Sequence, residues 1–234
     1  MVIAAATKTL GFWSAVAATL CSATYVVAQL AEWGGWMGSG GGAENPSTVF
    51  GLVVLLTPSL FLGPSFLLLM VSVHGLAVSD RKVWSHAAVA FATVYTALIA
   101  INYFVQLAWV APRLAAGRVQ GLEPFLFTPF DSFLYAVDIL GYSFMSVATL
   151  CAAPVFTGGG LPRIVRLFLL ANGLLLPFIA LQMYFHPLIW IAALWAVTFP
   201  GATGLLAVVF HQAQSSPPAL RRETARSDSP TITL

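Results

Sequence analysis

Residues 130–156 read FDSFLYAVDILGYSFMSVATLCAAPVF. A helix needs about 20 mostly apolar residues to cross the hydrocarbon core of a bilayer, and this run is long enough. Its one interior acid, Asp138, lies about eight residues in. A carboxylate at that depth costs roughly 2.5–3.5 kcal/mol on insertion scales, so it normally faces a partner or a water-filled cavity. The segment therefore implies a membrane fold, and it raises the question of what the rest of the chain brings to Asp138.

The surrounding composition agrees. The chain has 234 residues, of which 59% are hydrophobic and 8% charged, with a mean hydropathy of +0.89. Soluble domains carry about 25% charged residues. The apolar residues fall into blocks of spanning length without the alternation of a β-barrel strand. The expected fold class is all-α, a polytopic integral membrane bundle of six transmembrane helices in one domain, residues 1–211. The spans are about 10–31, 49–76, 86–110, 130–156, 163–185 and 188–211, with kinks expected at Pro58/Pro64, Pro177 and Pro200. The N-terminal MVIAAATKTLGFW could open a signal peptide. The apolar run continues, however, with no convincing small-residue cleavage site, so 10–31 is read as the first span. From Gln212 the polar, Pro/Ser-rich tail to residue 234 reads as disordered and cytoplasmic.

Orientation follows from the basic residues of the short loops. With the N-terminus inside, the inner face holds Lys8, Arg81, Lys82, Arg163, Arg166, Arg221, Arg222 and Arg226, and the outer face only Arg113 and Arg118. The expected location is the cell (inner) membrane, with both termini cytoplasmic. The net charge of +2 comes from scattered loop residues, so nucleic acid is not an expected partner.

Residues three and four apart share a helix face. Ser14, Ala18, Ser22, Tyr25, Gln29 and Glu32 form such a stripe in the first span. Tyr95, Asn102, Gln106 and Trp109 mark the third, ahead of Arg113. Asp131, Tyr135, Asp138, Tyr142, Ser146 and Thr149 mark the fourth, and Gln182 and His186 end the fifth. Counting along the helices at about 1.5 Å per residue puts Gln29, Asn102, Gln106, Tyr135, Asp138, Tyr142, Gln182 and His186 in the outer half of the membrane. One reading is a polar pocket open to the outer face, with these eight residues binding a small ligand. The other is a network of interhelical hydrogen bonds, each contributing about 0.6 kcal/mol. Asp138 itself has three readings: a neutral acid that carries a proton, a carboxylate held by Arg113, Arg118 or His186, or a structural ion pair with Arg113.

Other chemistry is thinly represented. His74, His86 and His211 lie at the inner ends of spans, but their spacing matches no metal-ligand motif. No metal or cofactor is expected. Cys21 and Cys151 both fall within spans and form no CxxC pair. There is no GxSxG, no HExxH, no intramembrane Lys and no paired intramembrane Asp.

The segments INYFVQLAWVAPRLAAG (101–117) and FLYAVDILGYSFMS (133–146) resemble those of bacterial six-helix multipass proteins without an assigned function. The shared positions are Asn102, Tyr103, Phe104, Gln106, Asp138, Gly141 and Tyr142. The resemblance covers about an eighth of the chain and implies no activity. Three functions remain open. The first is binding or transport of a small or amphiphilic ligand, with the bilayer as the other partner. The second is an accessory role beside partner subunits of a membrane complex. The third is intramembrane acid/base catalysis by Asp138 and His186.

Overall fold

The computed structural model describes residues 4–42, 44–128 and 130–215. The structure is 80% helical and has no strands among the described residues. Six helical segments are long and apolar enough to cross a membrane, and the chain is a multipass helical membrane protein. The first two spans are α1 (Ala5–Trp33) and α2 (Val49–Leu76). The third is α3 (Lys82–Val105), continued through a π-turn at Gln106–Val110 into α4 (Ala111–Ala115). The fourth is α5 (Phe133–Ala152). The fifth combines α6 (Leu161–Gly173) and α7 (Leu176–Leu181), and the sixth α8 (Ile189–Ala192) and α9 (Trp195–Ser215).

Successive spans pack on one another: α1 on α2, α2 on α3, α3 on α5, α5 on α6 and α7, and α6 on α9. The last helix then returns to the first, α9 on α1. The result is a closed ring of six helices in chain order. Small residues let the neighbours approach closely, as expected where lipid removes the hydrophobic drive between helices. A Cβ on Gly141 would lie 2.9 Å from Ile99 Cδ1, so glycine sets the spacing of α5 from α3. Between α1 and α9, the Thr19 hydroxyl donates to Thr203 Oγ1 at 2.9 Å.

Aromatic side chains fill the middle of the ring. Phe66 of α2 meets Tyr95 of α3 and Phe199 of α9, with centroids 5.7 and 5.4 Å apart. Trp195 stacks on Phe199 at 5.3 Å and meets Tyr142 of α5 and Tyr25 of α1 nearly edge-on. Outside the ring, exposed tryptophans mark two levels: Trp13 and Trp84 towards the chain termini, Trp33, Trp36 and Trp190 at the opposite end. Such levels match the interfacial belts of a spanning protein.

Helix ends follow local chemistry. Ser132 caps α5 by accepting the Tyr135 N–H at 3.1 Å, and Thr48 caps α2 by accepting that of Gly51 at 3.0 Å. Both lie in extended backbone, which is the usual capping geometry. The fourth span therefore begins at Phe133, three residues later than its apolar run suggests. The fifth span breaks after Gly173, and Pro177 enters the first turn of α7, where a missing N–H is harmless. In contrast, α2 runs unbroken through Pro58 and Pro64. Likewise α9 runs through Pro200, and the sixth span is interrupted instead at Ala193–Leu194. The helix also reaches Ser215, so the first four residues of the expected disordered tail are helical. Residues 216–234 lie outside the described residues, as do Arg221, Arg222 and Arg226.

The bundle has two unlike ends. The terminal end carries Ala4, Ser215 and the tight turns 77–81 and 156–160. The loop end carries 34–48, 116–132 and 182–185. The loop residues 116–128 turn into the ring. Leu122 is fully buried, and Phe125 and Phe127 are half-buried against the side chains of α3 and α5.

Candidate functional site

At the loop end, α3 and α5 are held together by Asn102. Its Nδ2 donates to the Leu134 carbonyl at 3.1 Å and to Asp138 Oδ1 at 3.3 Å. The two residues predicted to converge on one depth therefore touch across adjacent helices. One turn further from the loops, the Tyr103 and Tyr142 hydroxyls share a hydrogen bond at 3.1 Å, and the Tyr103 hydroxyl also reaches the Asp138 carboxyl. Asp138 lies within electrostatic reach of Tyr25, Tyr95, Tyr103, Tyr135 and Tyr142. These are five of the six tyrosines in the chain. The carboxyl thus stands among phenols and aromatic rings, and Asp138 is itself half-buried rather than sealed.

No cation meets it. Among the described residues the ion pair is Arg81–Asp80, on the terminal turn. Arg113, the expected partner, lies over the Trp109 ring at 4.0 Å and donates to the Trp109 carbonyl at 3.2 Å. A planar guanidinium gains by such stacking, and this holds Arg113 on its own helix. His186 is exposed at the mouth, its ring stacked on Phe130 at 4.7 Å. No hydrogen bond or ion pair joins it to Asp138 among the described residues.

The remaining expected residues form the rim. Tyr135 donates to Gln182 Oε1 at 3.3 Å, and Gln182 Nε2 returns to the Ile179 carbonyl at 3.0 Å. Gln29 stays on α1, accepting from Tyr25 at 3.1 Å and donating to Glu32 at 3.4 Å. Gln106 begins the π-turn and donates to the Phe125 carbonyl, tying the 116–132 segment to α3. A π-turn inserted in an α-helix is a frequent companion of functional sites. Here it turns Gln106 and Trp109 towards the lid rather than towards Asp138.

Phe127 closes the phenolic cluster from this side, with ring centroids 6.4 Å from Tyr103 and 6.3 Å from Tyr135. Its other side lines an apolar cleft of about 120 Å³ between α2, α4 and the loops, with Leu52, Leu55, Leu56, Leu114 and Leu126. Next to this lid Phe130 takes a left-handed backbone conformation, φ 72°. That geometry is uncommon for a bulky side chain, and it points the ring at Tyr135 and His186.

Several buried acceptors at this end have no partner: Asn102 Oδ1, Gln106 Oε1 and Glu32 Oε1, on side chains that are 0, 1 and 2% exposed. The Tyr95 hydroxyl lies beside Tyr142 yet meets no partner at hydrogen-bonding geometry. Leaving a buried polar group unsatisfied costs about 1–3 kcal/mol, so a concentration of them is unusual in a folded interior.

The histidines at the terminal end are elsewhere and otherwise engaged. His74 stacks on His86 at 4.2 Å and pairs with the Ser85 hydroxyl at 2.7 Å, while His211 packs on Phe12 of α1. No group of three potential metal ligands occurs among the described residues.

No family model matches the chain, and neither the curated proteins nor the solved structures contain a match.

Four contributors were not assigned to the site from the sequence. Tyr103 is one residue off the Tyr95–Asn102–Gln106 stripe, but a buried helical face is wider than a single row. Trp195 sits well inside a span, away from the interface where tryptophan is usual, and that was its signal. Glu32 lay in the first-span stripe and turned out buried against Gly41 and Gly51. Phe127 carried no signal, because nothing local tells a lid from a surface loop.

Proposed function

We propose that the protein binds a small amphiphilic molecule at the loop end, its polar head in the chamber around Asp138 and its apolar part towards the cleft behind Phe127. The observation that carries this reading is the half-satisfied pair at the chamber floor. Asn102 gives its N–H to Asp138 while its own carbonyl oxygen, fully buried, has no partner. A structural network completes such groups, whereas a binding site keeps them for the ligand. Asp138 is the central acid, Tyr142, Tyr103 and Asn102 its immediate neighbours, Tyr135 and Gln182 the rim, and Gln106 the tether of the lid. Gln29 supports Glu32, and His186 stands outside at the mouth.

The loop end faces the outer leaflet in this proposal, because eight of the ten basic residues belong to the terminal end or the tail. The ligand would then enter from the outer leaflet or the space beyond it.

A photoreactive benzophenone side chain in place of Phe127 tests the reading in native membranes. Expected is a crosslinked small molecule, identified by mass spectrometry, that is absent when the same group replaces lipid-facing Leu20. Identical adducts of bulk phospholipid at both positions would sink the proposal.

A further inference from the structure

The walls of the chamber select a charge. Everything that reaches its interior is an acceptor, a phenol or an aromatic ring. Asp138 supplies a carboxyl, Asn102 supplies an unpartnered amide oxygen, and Tyr25, Tyr95, Tyr142 and Trp195 supply ring surface. The indole N–H of Trp195 is turned away, donating to Met145 Sδ at 3.2 Å. Both Asn102 N–H groups are committed, to Leu134 and Asp138, while Gln106 gives one N–H to Phe125 and Gln182 one to Ile179. The one basic group near this end of α3, Arg113, is held on Trp109. An anionic head would therefore meet the Asp138 carboxyl and the orphaned Asn102 oxygen, with the Tyr95 hydroxyl as the unpartnered donor beside them. A neutral hydroxyl would satisfy a single amide oxygen.

We infer that the ligand is an alkylammonium ion, its N–H groups donating to Asp138 and the Asn102 amide oxygen and its charge lying against the aromatic walls. This deepens the amphiphile reading and rests on it. Aromatic faces attract cations electrostatically, most strongly where water is excluded, and an intramembrane acid without a protein counter-ion is completed by a cationic partner. The alkyl part occupies the cleft of about 120 Å³ lined by Leu52, Leu55, Leu56, Leu114 and Leu126. Phe127 belongs to both compartments, so it separates head from tail.

The test uses the full chain in nanodiscs of neutral phosphatidylcholine, titrated with hexylammonium, 1-hexanol and hexanoate, with empty nanodiscs as the blank. Tryptophan fluorescence reports occupancy through Trp195. Hexylammonium is expected to bind saturably and at least tenfold more tightly than either competitor. Asp138→Asn is expected to weaken it at least tenfold, and Tyr142→Leu to weaken it more than Tyr142→Phe, which keeps the ring. Equal affinity for 1-hexanol or hexanoate overturns the charge assignment while leaving an amphiphile site standing. Saturable binding of none of the three overturns the site as well. The selectivity is read on the unaltered protein, so it stands even if a variant fails to fold. If Asp138→Asn folds and binds hexylammonium unchanged, the head does not sit at Asp138.

Discussion

Two asparagines with no exposed surface, Asn102 and Asn172, make opposite use of the same side chain. Asn172, on α6, donates to Thr149 Oγ1 at 3.2 Å and accepts from the Thr198 hydroxyl at 3.1 Å. It thereby joins α6 to α5 and α9, beside the break in the fifth span, with both ends of the amide in use. Asn102 also bridges two helices, but only through its N–H groups, and its oxygen is left over. The difference separates packing from binding. Burial and amide chemistry are the same, so neither identifies a site; the unspent acceptor does.

The comparison can be broken most sharply at Gly141, which brings α5 close enough for Asn102 to reach Asp138. Gly141→Leu drives a side chain into Ile99. It should cost about 1–3 kcal/mol, as overpacking does, and remove ligand binding as well. Thermal unfolding in nanodiscs together with the titration above checks both; a stable variant that still binds would show that this close approach does not build the chamber. Asn172→Leu comes next. It should lower stability by about 0.6–1.7 kcal/mol, the range of interhelical hydrogen bonds in membranes, and leave ligand affinity unaltered. Asn102→Leu should show the reverse, a stability change of about 0.6 kcal/mol or less with binding weakened at least tenfold. Matching profiles for the two asparagine variants would end the distinction between them. The smallest effect on global stability belongs to Gln106→Leu. Losing the tie to Phe125 should speed amide hydrogen exchange within 116–132 and leave the exchange of α5 unchanged.

Much of the fold was legible because a membrane constrains it. Blocks of about 20 apolar residues have few alternatives to spanning helices, and the six segments fall where the apolar runs lie. Helical stepping and depth counting also put Asn102 and Asp138 in the same half of the membrane, without indicating which side chains pair. Three things could not be read. The pairing of α9 with α1 depends on surfaces at opposite ends of the chain. Arg113 had two competing partners, and the ring one residue-turn away on its own helix won over a distant acid. The lid depends on Leu122, Phe125 and Phe127 finding α3 and α5, a tertiary event with no local periodicity behind it. Breaks and prolines coincide only in part: the fifth span breaks beside Pro177, α2 and α9 carry their prolines inside continuous helix, and the sixth span parts at Ala193–Leu194.

Ring closure also has a bearing on biogenesis. Nearly every neighbouring pair of spans is consecutive, so each helix leaving the insertion machinery meets its partner at once, and such local contacts form quickly. The join of α9 to α1 is the exception, sealed where Lys8 donates to the Ala213 carbonyl and Gln214 to that of Lys8. Trp195 arrives with that last helix and supplies a wall to the chamber. The aromatic interior is therefore complete only when synthesis has passed α9, and a chain halted before it would leave Tyr25, Tyr142 and Asp138 open along one side of an unfinished arc.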